Sequence, residues 1–173
     1  MTWGNKKNFL RRVLFTVTAV IVLLTACHAK KAHAPAETGN TCTVTIRCDT
    51  ILENMEALDP EKRDLIPADG VILPETEVTV SDGDSAFDVL KRACLAGRIH
   101  LEFSEAAFYD SVYIEGIANI YEFDCGPLSG WMFCINGEYK NYGCSAILVS
   151  PGDRVDFNYT CDLGCDLGNG VSQ

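Results

Sequence analysis

Gly130-Trp131-Met132-Phe133-Cys134-Ile135-Asn136-Gly137-Glu138-Tyr139-Lys140-Asn141-Tyr142-Gly143 is the stretch from which the fold can be read. Trp131, Phe133 and Ile135 alternate with Met132 and Cys134, the two-residue period of a strand, here with both faces apolar. Asn136-Gly137 follows directly. Both central residues of a type I′ turn need positive φ, which Asn and Gly tolerate, so the pair predicts a hairpin. Ser150-Pro151-Gly152-Asp153 makes a second turn, with Pro151 setting φ and Gly152 accepting the positive φ of a type II turn. Beyond it Val155, Phe157 and Tyr159 point one way and Arg154, Asp156 and Asn158 the other, a half-buried strand.

Upstream, Cys42, Val44, Ile46 and Cys48 alternate with threonines and Arg47, a strand with one apolar face. Thr50 and Glu53 fit a capping box, and Ile51, Leu52, Met55 and Leu58 form a helical stripe that ends before Asp59-Pro60. Pro67, Asp69-Gly70 and Pro74 mark loop and edge structure. Residues 50–75 are therefore expected as a partly helical insertion before a short strand at Val78 and Val80. Ser85 or Asp84 caps the main helix, with Phe87, Leu90 and Cys94 inward and Gly97 just past its end. Alternation at Ile99, Leu101 and Phe103, and again at Val112 and Ile114, predicts two more strands before residues 117–125 lead into the hairpin. The pattern is α+β.

The N-terminus reads as an address. Lys6, Lys7, Arg11 and Arg12 precede an apolar run, Val13 to Leu24, that is short for a bilayer span. It ends in Leu24-Thr25-Ala26-Cys27, which resembles the lipobox of bacterial lipoproteins, in place of an ordinary cleavage site or short anchor. The expected organisation is a signal peptide at 1–26, lipidated Cys27 with a tether to residue 40, a domain at 41–168 and a tail at 169–173. Two acyl chains, at about 0.8 kcal/mol per buried CH₂, anchor durably where one does not. This places the protein on the extracytoplasmic face of the cell membrane. Net charge is −10, and the first 26 residues hold four of the bases and no acid. So acidic a chain repels phosphate backbones, and nucleic acid is excluded as a partner.

Gly130-Trp131, Ile135-Asn136-Gly137, Asn141-Tyr142-Gly143-Cys144, Pro151-Gly152-Asp153 and Tyr159-Thr160-Cys161-Asp162-Leu163-Gly164 together resemble the bacterial transcobalamin-like C-terminal domain, over roughly 41–167. That family is similar to the β-domain of transcobalamin and intrinsic factor. The resemblance implies a β-grasp-like mixed sheet with one main packed helix and a helical insertion after the first strand. It implies that the first and last strands are parallel neighbours, bringing Cys48 and Cys161 to one end as a candidate disulfide. It also implies a ligand surface on the hairpin and its return, at Trp131, Tyr139, Asn141 and Tyr142, for cobalamin or another bulky polar molecule. No α/α-barrel precedes the domain in this sequence to hold a second face of such a ligand.

Enzymatic chemistry is hard to find. The domain has one histidine, His100, and no Gly-x-Ser-x-Gly elbow or phosphate-cradling glycine loop. Zinc knuckles need two matched cysteine pairs, and Cys161-x₃-Cys165 is the one close pair. No metal and no bound cofactor is expected. An even set of cysteines beyond Cys27 favours disulfides outside the cytoplasm, while Cys94 and Cys134 suit core thiols. Two functions stand: a tethered binding module serving an uptake system, or a cell-surface module that contacts protein or glycan without a small-molecule ligand.

Overall fold

The computed structural model describes residues 39–106 and 111–169. The signal, Cys27 and almost all of the tether lie outside them. The described chain is mixed α+β. In order it forms β1 (Thr41–Arg47), two 3₁₀ turns (Asp49–Glu53 and Pro60–Leu65), β2 (Val71–Thr79), α1 (Ala86–Gly97), β3 (Leu101–Ala106), β4 (Ser111–Ile117), β5 (Ile120–Tyr121), β6 (Gly130–Ile135), β7 (Glu138–Tyr139) and β8 (Arg154–Thr160). The main sheet runs β2-β1-β8-β6-β7, and a smaller one runs β3-β4-β5. β1 and β8 pair in parallel as expected, and the other neighbours are antiparallel. The result is a β-grasp-like sheet with one α-helix among the described residues.

Register explains the core. Val44 lies opposite Val155 and Ile46 opposite Phe157, while Phe133 and Ile135 face Phe157 and Val155 from the other side. Because side chains alternate, these six project to one face, where Ala86, Phe87, Leu90 and Cys94 of α1 join them in one apolar cluster. Phe133 and Phe157 stack at 5.7 Å, and Phe87 meets Phe103 edge-on at 4.7 Å. Each fully buried aliphatic or aromatic side chain contributes about 1.5–3 kcal/mol by leaving water. Ser85 caps α1: its Oγ accepts from Asp88 N–H at 3.3 Å, and the Asp88 carboxylate accepts from Ser85 N–H at 3.0 Å.

A second cluster sits at the far end of the sheet, where Cys48, Ile51, Leu58, Ile120, Cys125 and Tyr159 are buried together. Tyr159 is its hub. The phenol donates to Tyr121 C=O at 2.7 Å and lies 2.9 Å from Ser129 Oγ, and its ring meets Trp131 edge-on at 5.2 Å.

Four expectations need correction. Thr50 caps nothing; its hydroxyl donates to Tyr159 C=O at 2.6 Å, and the segment forms a 3₁₀ turn rather than an α-helix. The left-handed residue that closes α1 is Arg98, at φ 55°, one place beyond Gly97. β2 begins seven residues before Val78, and Pro74 is tolerated within it because the strand is an edge with a register irregularity. The hairpin is real but short, pairing only Cys134 with Tyr139 and Ile135 with Glu138. Among the described residues no helix is long and apolar enough to cross a membrane.

Candidate functional site

The hairpin turns through Asn136 at φ 54° and Gly137 at φ 84°, the signs its type I′ reading demands. Asn136 is held further by its amide, which donates to Asp153 at 2.8 Å while its carbonyl accepts from Arg154 N–H at 2.9 Å. The turn is thereby tied to the Pro151-Gly152-Asp153 turn beside it. The return, residues 137–143, then runs between two depressions.

The first is a groove of about 560 Å³ on the polar face of the main sheet. Its floor is set by register: Thr45 and Cys134 lie on either side of Asp156, and Arg47 opposite Asn158. Asp156 is largely buried and well supplied, accepting from Thr45 Oγ1, from Arg154 Nε at 2.9 Å and from Cys134 Sγ at 3.5 Å. That bond to Asp156 holds the Arg154 guanidinium more firmly protonated, and Asp49 does the same for Arg47 at 3.1 Å. Burial, and then the Asp156 charge, push the Cys134 thiol up to about 11, so it lines the groove as a neutral group. Tyr139 completes the wall. Its oxygen accepts from Asn158 Nδ2 at 3.1 Å, which leaves the phenol proton free to donate. Burial raises the Tyr139 pKa, so this donor stays protonated at neutral pH. The lining holds two basic residues, Arg47 and Arg154, and two acidic ones, Asp156 and Glu75, so the groove offers donors and acceptors in balance.

The second depression, about 240 Å³, lies on the other side of the return and is lined by Val112, Ile114, Trp131, Phe133, Tyr142 and Lys140 among others. Tyr142 is 71% exposed there. Trp131 is half-buried and its indole N–H is spent on Ile120 C=O at 2.9 Å, which makes it a wall rather than a hydrogen-bonding group. Gly143 admits β4 at this point: a Cβ on it would stand 1.7 Å from Ser111 Oγ.

Of the four residues nominated from sequence, the structure brings Trp131 and Tyr142 to the apolar depression and Tyr139 to the polar groove, on opposite sides of the return. Asn141 is exposed and lines neither. The sequence reading missed Thr45, Arg47, Asp156 and Asn158. Their alternation as the polar side of β1 and β8 was visible, but the parallel pairing that gathers them is a long-range event. Cys48 lies one step beyond the Arg47–Asn158 pair, level with Tyr159, so Cys161 is two residues further along. No disulfide joins the eight described cysteines in this structure, Cys48 and Cys161 included. Among the described residues no group of His, Cys, Asp or Glu is placed to hold a metal ion.

Residues 83–161 match the family described as Domain of unknown function (DUF4430), a span that takes in α1, the hairpin and β8. No curated protein matches the chain. Among solved structures the chain is similar to haptocorrin, in a crystal structure of its complex with Cbi, at 15% identity and a TM-score of 0.49. That similarity covers 75% of this chain and 27% of haptocorrin, so the chain spans about a quarter of the other protein's length.

Proposed function

We propose that this protein is a membrane-tethered extracytoplasmic binding module for a bulky polar molecule, cobalamin-like in its chemistry, within an uptake system. The observation that carries the reading is the hairpin return, which contributes Gly137 and Tyr139 to one depression and Lys140, Tyr142 and Gly143 to the other. A ligand seated over it reaches a balanced hydrogen-bonding groove on one side and an apolar wall on the other. Amide-rich macrocycles have that mixed character. The residues sit on strands and a tied turn, which favours a surface formed before the ligand arrives. Neither depression encloses a ligand of that size, so the reading calls for weak binding, or for a partner protein that covers the other face. Membrane tethering rests on Leu24-Thr25-Ala26-Cys27 and on the basic and apolar segments before it.

The test is titration of the full chain in detergent with cobalamin, cobinamide and a glycan panel, followed by absorbance and calorimetry. Saturable binding weakened by both Tyr139→Phe and Tyr142→Ala, with the fold intact, supports the reading. Absence of binding across the panel ends it. Mass spectrometry of the mature N-terminus tests the tether: any terminus other than diacylglyceryl-Cys27 refutes it.

A second reading, an interaction module for protein or glycan, draws on the opposite end of the sheet. There Phe123 and Leu163 are exposed by 61% and 62%, with Leu128 beside them, and both hold positive φ, which bulky residues rarely adopt.

A further inference from the structure

The end of the main sheet away from the hairpin holds two cysteines that the sequence leaves 36 positions apart. Thr160 ends β8 opposite Gly130, which begins β6, so the turn before β6 and the chain after β8 leave the sheet side by side. They remain together: Leu163 N–H donates to Leu128 C=O at 3.0 Å. Both sulfurs then rest on the same 3₁₀ turn. Cys125 Sγ is 3.5 Å from Asn54 C=O, Cys161 Sγ is 3.8 Å from Thr50 Oγ1, and Asn54 Nδ2 donates to Thr50 C=O at 2.8 Å. The two thiols also lie near enough for each to act on the other's protonation. Cys48 belongs to the same cluster, but it is level with Tyr159, and the charges that act on its thiol are those of Asp49, Arg47 and Asp69.

We propose that Cys125 and Cys161 form a disulfide that fastens the turn before β6 to the chain after β8. Both side chains end on the same 3₁₀ turn, and a disulfide asks the two sulfurs to rotate toward each other there, to an S–S distance of about 2.05 Å. In the reaction each thiol loses a proton, two electrons pass to a donor disulfide, and that donor leaves as two thiols while the Cys125–Cys161 bond forms. The donor's chemical class is a small-molecule or protein disulfide, as oxidising compartments supply. The bond closes a loop containing β6, β7 and β8, and holds in place the end that carries Phe123, Leu128 and Leu163.

The folded pair is protected from this chemistry. Exchange proceeds through the thiolate, and burial pushes Cys161 up to about 12 and raises Cys125 as well. Pairing therefore belongs to folding, before the 3₁₀ turn covers the sulfurs. Folded, reduced protein should oxidise slowly, and faster as pH rises.

The experiment refolds the full chain, in detergent, with a reduced/oxidised glutathione mixture, blocks free thiols with iodoacetamide and maps the peptides. Chymotrypsin cuts after Trp131, separating Cys125 from Cys134, and after Leu163, separating Cys161 from Cys165. The expected result is one linked peptide pair joining Cys125 and Cys161, lost on reduction and retained in Cys48→Ser. Cys125→Ser should leave Cys161 labelled, and Cys161→Ser should leave Cys125 labelled. Reduction should lower the melting temperature by roughly 5–15 °C. Label on both cysteines in the refolded, unaltered chain overturns the proposal, as does a bond from Cys161 to Cys48 or Cys165. The map of the unaltered chain decides the matter even where a serine variant fails to fold.

Discussion

Replacing Tyr159 by Phe removes one oxygen from the centre of the second cluster and leaves the ring against Trp131 in place. The residue is 1% exposed, so water cannot substitute for what is lost. Its hydroxyl donates to Tyr121 C=O at 2.7 Å and lies 2.9 Å from Ser129 Oγ. A net hydrogen bond is worth about 0.5–1.5 kcal/mol, and Tyr121 C=O keeps a second donor in Asp124 N–H at 3.3 Å, so the loss is that of the phenol's own bond and its contact with Ser129 Oγ. The expected loss is therefore about 1–2 kcal/mol, or roughly 4–10 °C in melting temperature for a domain of this size. Urea unfolding followed by Trp131 fluorescence measures it: the midpoint should fall with the slope unchanged. Burial raises the Tyr159 phenol above its ordinary value of 10.0. The unfolded chain thus ionises first, and the stability the phenol contributes is complete below that pH and lost as pH climbs above it. Tyr159→Phe should flatten part of that alkaline loss. A change below about 0.5 kcal/mol, the range of an ordinary surface substitution, would refute the assignment of Tyr159 as the hub of that end.

At the N-terminus of α1, Ser85→Ala should cost about 1 kcal/mol by opening the capping box, measured by the same unfolding curve. Ser85 hydrogen bonds hold the Asp88 carboxyl below its ordinary 3.8, and the Arg92 ion pair does the same for Asp84. Their stabilisation is present above that value and lost as pH falls through the lowered ones, so Asp88→Asn should flatten the acid limb of stability against pH. Gly143→Ala should weaken any ligand bound at the apolar depression more than it disturbs helix content, since Ser111 must move to admit the new methyl; unchanged affinity would show that ligand does not rest there. Phe157→Ala, at the junction of β1, β8 and β6, should cost about 3–5 kcal/mol, and retention of a cooperative melt within 1 kcal/mol of the parent would contradict the core described above.

Local chemistry was enough for much of this protein. The Asn136-Gly137 turn, the Pro151-Gly152 turn, the Ser85 cap and the alternation in β1, β6 and β8 each depend on residues within a few positions of one another, so they could be read directly. The burial of Phe133, Val155 and Phe157 followed from the same alternation. The parallel partnership of β1 and β8 came from resemblance, because no turn joins two strands more than a hundred residues apart. Thr50 shows the limit. Its sequence neighbours suit a capping box, yet its hydroxyl is claimed by the carbonyl of Tyr159, a partner that only the folded sheet brings near. The binding surface divides the same way. Tyr139 and Tyr142 were legible as candidates, but a strand's side chains alternate, and only the pairing of Tyr139 with Cys134 decides that it faces Asp156 and Asn158 while Tyr142 faces Trp131. The cysteines make the point most sharply: spacing cannot choose among eight of them, and Cys125 and Cys161 come to the same end of the sheet because β6 begins where β8 ends.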